Sequence, residues 1–406
     1  MTGAAVIDRC PSCGSPNLEE FYQASGVPAH SCVLLPTREE AVWYPTGAIR
    51  LALCRTCGFI TNLAFDPSLI DYTQDYEETQ GFSSRFNEFA RSLAERLIER
   101  YGLRGKDVLE IGCGKGEFLV LLCELGGNRG LGIDPSYVPE RLGTKADVRF
   151  IRDYFDERFT HLTGDLVCCR HTLEHIGPTG QFLELIRRST ANRPGAVVFL
   201  EVPDVRRVLR ESAFWDIYHE HCSYFSPGSL ARLFMATGFD VLDVSLGFDD
   251  QYILLHATID GSSPSTPLPL EETVDDVAED VEAFRGRWRD HLERWTDRIR
   301  SIREGGQRAV LWGSGSKGVA FLTTLGIRDE VQQVVDINPF RQGMYMPGTG
   351  QRIVAPEALK EDPPEVVIVM NPIYENEIRR DLDRLDLGPQ VLSVDALVSA
   401  DGGTER

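Results

Sequence analysis

The sequence predicts an α/β chain in which two parallel-sheet units of nucleotide-binding type follow a small cysteine-rich head. Three observations carry this reading. Gly112-Cys-Gly114-Lys-Gly116 and Gly313-Ser-Gly-Ser-Lys317-Gly318 each follow a short apolar strand and open a helical run. Each is answered by a strand ending in an acid, Asp134 being 22 residues after Gly112 and Asp336 23 residues after Gly313. Ahead of both lie two C-x2-C pairs, and the 406-residue length with 42% hydrophobic and 26% charged residues suits several ordinary globular domains.

The elements follow in chain order. Cys10/Cys13 and Cys54/Cys57 are each followed by glycine, so each pair can turn tightly and converge its thiolates. Four sulfurs around Zn2+ fill a tetrahedral shell and leave no position for water, which makes the expected zinc structural. A redox role, or a mixed ligand set drawing on Cys32 or His30, is the competing reading. Residues 84–101 repeat apolar positions at helical spacing and stop at Gly102. Next come the strand Asp107–Ile111, the glycine turn, a helix from Glu117 to Leu125, and the strand that ends at Asp134.

In this first unit Gly112, Gly114 and Gly116 let backbone approach a ligand, and Asp134 is placed to accept both hydroxyls of a ribose. Glu110, just before the glycines, suits an amino group and would repel a pyrophosphate, which favours an amino-acid-bearing nucleoside. Asp153 and Tyr154 are placed to flank an adenine. The strand Asp165–Arg170 opens into His171-Thr-Leu-Glu174-His175, and a further strand ends at Glu201. Tyr76 and His171 join the donor-binding candidates. His171, Glu174 and His175 read equally as cleft residues and as helix-start caps.

The run Tyr218-His219-Glu220-His221 is the strongest candidate for chemistry. If extended, it pairs Tyr218 with Glu220 on one face and His219 with His221 on the other; a loop would converge them instead. Its spacing does not match the helical HExxH zinc signature, so a general base is expected rather than a catalytic metal, with a structural hydrogen-bonded knot as the competing reading. After a Ser/Pro segment (260–270), Glu271 to about Glu304 reads as a bracing helix whose acidic run, Asp275 to Glu282, is a solvated face. The second glycine turn reads as a degenerate unit facing a shared cleft, a dinucleotide site, or a holder of substrate phosphate through its N–H groups and Lys317.

Forty-two basic against 62 acidic residues give a net charge of -20, which opposes nucleic acid and anionic membrane surfaces as partners. No apolar stretch of membrane-spanning length occurs, and the N-terminus lacks a secretory pattern, so a cytoplasmic protein acting on a small molecule is expected.

Together DVLEIGCGKGEFL, GIDPS and HTLEHI resemble the motifs of class I S-adenosylmethionine-dependent methyltransferases. The cysteine pairs, IYHEHCSYFS, and the tail segments VVDINPFRQGMYMPGTGQRI and VVIVMNPIYENEI are similar to the three-domain methyltransferases that include the nucleotide-sugar C-methyltransferases. The resemblance implies a zinc-binding domain (1–75), a central Rossmann-like methyl-donor domain (76–260), a helical connector (261–304) and a C-terminal Rossmann-like domain (305–406), with substrate between the last two. S-adenosylmethionine and structural Zn2+ are the implied cofactors, and a keto nucleotide-sugar is the implied substrate. By the same resemblance Tyr218 and Glu220 are active-site residues, His221 is the base that deprotonates carbon beside a ketone, and His175 is a further catalytic candidate. Three features depart from the sugar enzymes: His219 stands where aspartate is common, Gly247-Phe-Asp-Asp250-Gln251-Tyr252 replaces a His-Gly-Gly-Ser-like turn, and LWGSGSKG lacks the usual tyrosine. O- or N-methylation of a non-sugar metabolite, and a noncatalytic relic pocket, are the alternative functions.

Overall fold

Strand alternation and apolar runs sort the chain into three sheets in a computed structural model that describes residues 7–139, 141–261 and 268–396. Most of the Ser/Pro segment and the polar tail lie outside the described residues. In the head, Leu18–Pro28, Thr46–Cys54 and Ile60–Asn62 pair antiparallel in that order. The fourth strand comes from far along the chain: Ser223–Tyr224 pairs with Ile60 and Thr61. The segment that carries Tyr218 to His221 is therefore anchored to the head at its exit.

The central sheet has seven strands, in the order Asp240–Gly247, Tyr252–Thr258, Val197–Pro203, Leu166–Arg170, Asp107–Ile111, Arg129–Ile133, Asp147–Ile151. Tyr252–Thr258 runs antiparallel to both of its neighbours, and the remaining pairs are parallel. Leu166–Arg170 and Tyr252–Thr258 are buried along their whole length, as expected for strands covered on both faces. Helix Ser84–Tyr101 is capped by Ser83, whose hydroxyl accepts from Phe86 N–H, and it ends at Gly102 in the left-handed conformation. Its Ala90, Leu93, Ala94, Leu97 and Ile98 share one face and pack with helix Glu117–Gly126 on the sheet. The strand order reverses between Asp107–Ile111 and Leu166–Arg170, which opens a crevice beyond their carboxyl ends.

The C-terminal sheet is wholly parallel, in the order Arg352–Val354, Val331–Val335, Ala309–Trp312, Val366–Val369, Gln390–Ser393. Helix Val274–Glu304 ties the units together. Its Phe284 and Trp288 pack on Tyr22 of the head, and Trp295 packs edge-on against Phe321 of the C-terminal unit at 5.1 Å. Burial of each such aromatic contributes about 2–3 kcal/mol. The acidic run is not simply a solvated face: Asp280 accepts from Arg206 and Arg210, which fastens the helix to the central domain.

The hairpin between Asp240–Gly247 and Tyr252–Thr258 turns through Phe248, Asp249 and Asp250, all at positive φ (52°, 58°, 58°). A left-handed side-chain-bearing residue costs roughly 1–2 kcal/mol, so something must hold this turn. Phe248 stacks on Tyr252 at 5.2 Å, and Gln251 exchanges two amide hydrogen bonds with Asn371 of the C-terminal unit. Two non-glycine features of the sequence thus meet as one bridge between units.

Candidate active site

The crevice of the central sheet is one end of a cavity of about 720 Å³ that runs past Tyr218 and His221 to the second glycine turn. Gly112, Gly114 and Gly116 all have positive φ. What a side chain there would strike is the protein itself: Thr172 at Gly112, Glu78 at Gly114, Phe150 at Gly116. The glycines thus allow these side chains to close on the turn, rather than serving ligand approach alone. Asp134 accepts from Gly114 N–H at 2.8 Å and from Ser136 N–H and hydroxyl at 2.7 Å, so it stitches its own turn. The second unit repeats the stitch: Asp336 accepts from Ser314 N–H at 2.9 Å and Asn338 N–H at 2.8 Å.

Two carboxylates overlook the first turn with an oxygen each lacking a hydrogen-bond partner, Glu110 and Glu78. Burial pushes Glu110 up to about 8, against the pull of Arg170 and with the help of Glu117 and Asp134. Burial likewise pushes Glu78 up to about 7, although Lys115 opposes the rise. Lys115 is fully buried and donates to the carbonyls of Tyr76 and Ser136, which holds residues 76–78 over the turn. Glu78 Oε2 faces Lys115 Nζ at 3.6 Å, while Glu110 has no cation so close among the described residues; such carboxylates suit a positively charged ligand.

Of the other donor-site candidates, Tyr76, Tyr154 and His171 line the cavity. Asp153 does not: it pairs with Arg158 at the surface. His171 bonds Glu201 at 2.8 Å and lies 3.6 Å from Glu174. Burial disfavours its charge, yet Glu201 and Glu174 outweigh burial and raise it to about 9.

The 218–221 run is a bend, not an extended strand, and its faces divide differently from either expectation. Tyr218 and His221 both reach the cavity, their rings 4.8 Å apart, and His175 lies 4.7 Å from His221. His219 points into the head, bonding the Ala48 carbonyl over Gly47, where a Cβ would collide with its ring. Glu220 also leaves the cavity. It accepts from Ser31 N–H and bonds His30 Nδ1, both at 3.0 Å. Asp71 N–H donates to His30 Nε2, so the proton sits on Nδ1 and is given to Glu220. The imidazole that Glu220 orients is therefore His30, not His221, and His30 is not part of the four-cysteine cluster.

His221 makes no side-chain hydrogen bond among the described residues, so its ring nitrogens are free. Burial and the neighbouring His175 ring hold it down to about 4, with Glu174, Glu220 and Asp216 pulling the other way. It is unprotonated at neutral pH. His175 Nδ1 lies 2.6 Å from the Tyr72 hydroxyl and 3.2 Å from the Glu220 carbonyl; since a carbonyl only accepts, the proton is on Nδ1 and Nε2 is left open. Glu174, 2% exposed, has one oxygen without a partner, and donor atoms of Glu174, His175 and His221 all lie within 4.8 Å of one another.

Tyr218 donates its hydroxyl proton to Asp216 at 2.6 Å, an interaction the sequence reading missed although Asp216 stands two residues away. Asp216 also binds Arg207 and Lys317, which hold its carboxyl well below the ordinary range despite burial. Lys317, from the second glycine turn, is in turn lowered to about 8 by burial, with Asp216 opposing. The turn of the C-terminal unit thus reaches the candidate base through Asp216 and Tyr218.

In the head, the Sγ atoms of Cys10 and Cys57 are 3.7 Å apart and those of Cys13 and Cys54 3.6 Å. A tetrahedral site with Zn–S of about 2.3 Å needs sulfurs about 3.8 Å apart, so the four residues fit the metal. Cys32 lies elsewhere, buried beside Ser316 at 3.3 Å.

Two family models match: a methyltransferase domain over residues 83–244 and a C-methyltransferase C-terminal domain over residues 271–389. The C-methyltransferase NovU of Streptomyces niveus is 25% identical over 394 residues, which cover 92% of this chain and 91% of that one. Among solved structures, the 1,6-didemethyltoxoflavin-N1-methyltransferase of Burkholderia thailandensis, with bound 1,6-didemethyltoxoflavin and S-adenosylhomocysteine, is 21% identical with a TM-score of 0.33, covering 44% of this chain and 81% of that one. The PH0226 protein of Pyrococcus horikoshii OT3 is 18% identical with a TM-score of 0.37, covering 48% and 95%. With both matched domains on one chain and a relative aligned over about nine-tenths of both chains, the chain is a class I S-adenosylmethionine-dependent methyltransferase, similar to the C-methyltransferases.

Proposed function

We propose that the protein methylates carbon beside a ketone of a small-molecule acceptor, with His221 as general base. The observation that supports this most is the placement of His221: neutral, unbonded at both ring nitrogens, and in the same cavity as the first glycine turn. S-adenosylmethionine supplies a methyl group already activated by positive sulfur. The chain must align a carbon nucleophile and raise its electron density. Glu110, with an unpartnered oxygen, and Glu78, which faces Lys115 Nζ at 3.6 Å, offer carboxylates to the positive groups of the donor, and Asp134 holds the turn in shape for it.

His221 would take the proton from the carbon next to the carbonyl, the C–H electron pair passing into an enolate. The imidazolium so formed faces the Glu174 carboxylate, which offsets the burial that otherwise disfavours its charge. Tyr218 is the nearest hydroxyl for the enolate oxygen. Its proton is directed to Asp216, but Arg207 and Lys317 already satisfy that carboxylate, so Tyr218 can turn to the oxyanion without leaving a bare charge. Such a donor is worth about 2–4 kcal/mol in the transition state. His175 and Tyr72 fix the far wall, and Glu220 acts at a distance by locking His30 and the head onto this segment. A keto nucleotide-sugar is the acceptor that the resemblance implies. The cysteine cluster is assigned to structural Zn2+, which would hold the strand Thr46–Cys54 and, through it, the exit of the 218–222 segment.

The test is exchange of deuterium from solvent into the carbon beside the ketone without methyl donor, followed by NMR location of the new methyl group. Exchange lost by a factor of about 10²–10⁴ in His221→Ala supports the base. A methyl on oxygen or nitrogen, or unchanged exchange in the variant, counts against the reading.

A further inference from the structure

We propose that the acceptor is a neutral ketone without a phosphate, diphosphate or carboxylate handle; this rests on the same cavity being the methyl-transfer site. Among the described residues four lysine or arginine side chains line the cavity, and each already faces protein acids. Arg170 is held by Glu201 through two hydrogen bonds. Arg207 is shared between Glu211 and Asp216 through its two terminal nitrogens, only its Nε being without a partner, and Lys317 takes the other oxygen of Asp216. Arg341 donates to the carbonyls of Ser314 and Glu77 and faces the charges of Asp336 and Glu77.

Grouped by contact, these sets are close to neutral. Arg207 and Lys317 balance Asp216 and Glu211, and Arg170 with a charged His171 balances Glu201 and Glu174. What is left over adds no positive charge: at the end assigned to the cationic donor, Glu110 has an oxygen without a partner and Glu78 faces Lys115 Nζ at 3.6 Å. A diphosphate would enter a buried space with no surplus positive charge to offset the loss of its hydration. Phosphate sites of this size ordinarily carry arginine or lysine free to bind.

The second glycine turn does not supply the missing charge. Ser314 N–H and hydroxyl of that turn are both given to the Asp336 carboxylate. Tyrosines contribute much of the cavity wall instead, among them Tyr72, Tyr76, Tyr218, Tyr224, Tyr252 and Tyr374. Such a wall offers ring faces and hydroxyls, suited to an uncharged ring bearing carbonyl and hydroxyl groups.

The test uses full-length zinc-containing protein saturated with S-adenosylhomocysteine and needs no turnover. Thymidine diphosphate and inorganic pyrophosphate are titrated by calorimetry at low salt. Absence of saturable binding up to about 1 mM is expected, and binding that persists in Lys317→Ala lies outside this cavity and leaves the inference standing. Binding tighter than about 1 mM that Lys317→Ala abolishes overturns it. In the isosteric Asp216→Asn variant, which releases Lys317 and Arg207, pyrophosphate affinity should rise at least about tenfold; unchanged affinity in a variant that still binds S-adenosylhomocysteine overturns the pairing argument. Failure of the wild-type protein to bind S-adenosylhomocysteine would instead defeat the methyl-transfer reading.

Discussion

Replacing Glu110 by Gln should change how donor binding depends on pH, and the structure fixes both sign and size. Glu110 is 2% exposed, one of its oxygens has no partner, and burial holds it at about 8. At pH 6 only ~1% of it is ionised and at pH 7 ~10%, so a ligand that needs the carboxylate must first expel a proton. Donor affinity of the wild-type protein should therefore gain about tenfold from pH 6 to pH 7 through this group alone. Glu78, at about 7, adds a slope of its own. Glu110→Gln cannot titrate, so its pH dependence should be shallower by about one log unit per pH unit, and its affinity at pH 7 should fall about 10- to 100-fold for loss of a charge-assisted hydrogen bond. Calorimetry of S-adenosylhomocysteine binding in two buffers of different ionisation heat reads the affinity and the released proton together. Equal slopes in the two proteins, with no proton release in the wild type, would refute the assignment of Glu110 to the donor's amino group.

Gly114→Ala places a Cβ 2.3 Å from a Glu78 oxygen at a residue with φ of +54°, so donor affinity should fall at least about tenfold while the chain still folds; an unchanged Kd in the same titration would speak against contact at this turn. Metal analysis should find one zinc per chain, and Cys54→Ser should lose it and lower Tm by several degrees, since Cys54 ends a buried strand of the head. Glu220 is lowered to about 2 by its bond with His30, despite burial. Its carboxylate therefore adds stability that is present above about pH 4.5 and is lost as pH falls through 2, about 3 kcal/mol in all. Urea unfolding of wild type and Glu220→Gln at pH 5 and near pH 2 should converge toward acid by roughly that amount; a constant gap would mean that Glu220 is not the ionised partner.

Much of the fold was legible because periodicity and turn chemistry act locally. Helix Ser84–Tyr101, the two glycine turns and the strands ending near Asp134 and Asp336 lie where apolar spacing and Gly102 put them. The cysteine pairs also announced their convergence, since two tight C-x2-C turns have few other uses. What was not legible depends on contacts between distant segments. Nothing in Tyr-His-Glu-His says that Ser223–Tyr224 will join the head sheet, and that junction is what sends His219 and Glu220 away from the cavity while leaving Tyr218 and His221 in it. The His30–Glu220 pair spans 190 residues, and Lys317 meets Asp216 across 101. Asp216 had a local signal, an acid two residues before the tyrosine in an otherwise aromatic run. Glu78 had a weaker one, its place just ahead of a helix that leads into the glycine turn. Asp153, expected to flank an adenine, pairs with Arg158 five residues on, a local contact that the sequence reading did not weigh.

The most direct measurement is a crystal structure of the zinc-containing protein with S-adenosylhomocysteine. The expected complex has the amino group on Glu110, the ligand seated along Gly112 to Gly116, and its sulfur facing the space between Tyr218 and His221. A ligand bound at the turn of Gly313 to Gly318 instead, or a sulfur directed away from His221, would contradict the proposed chemistry.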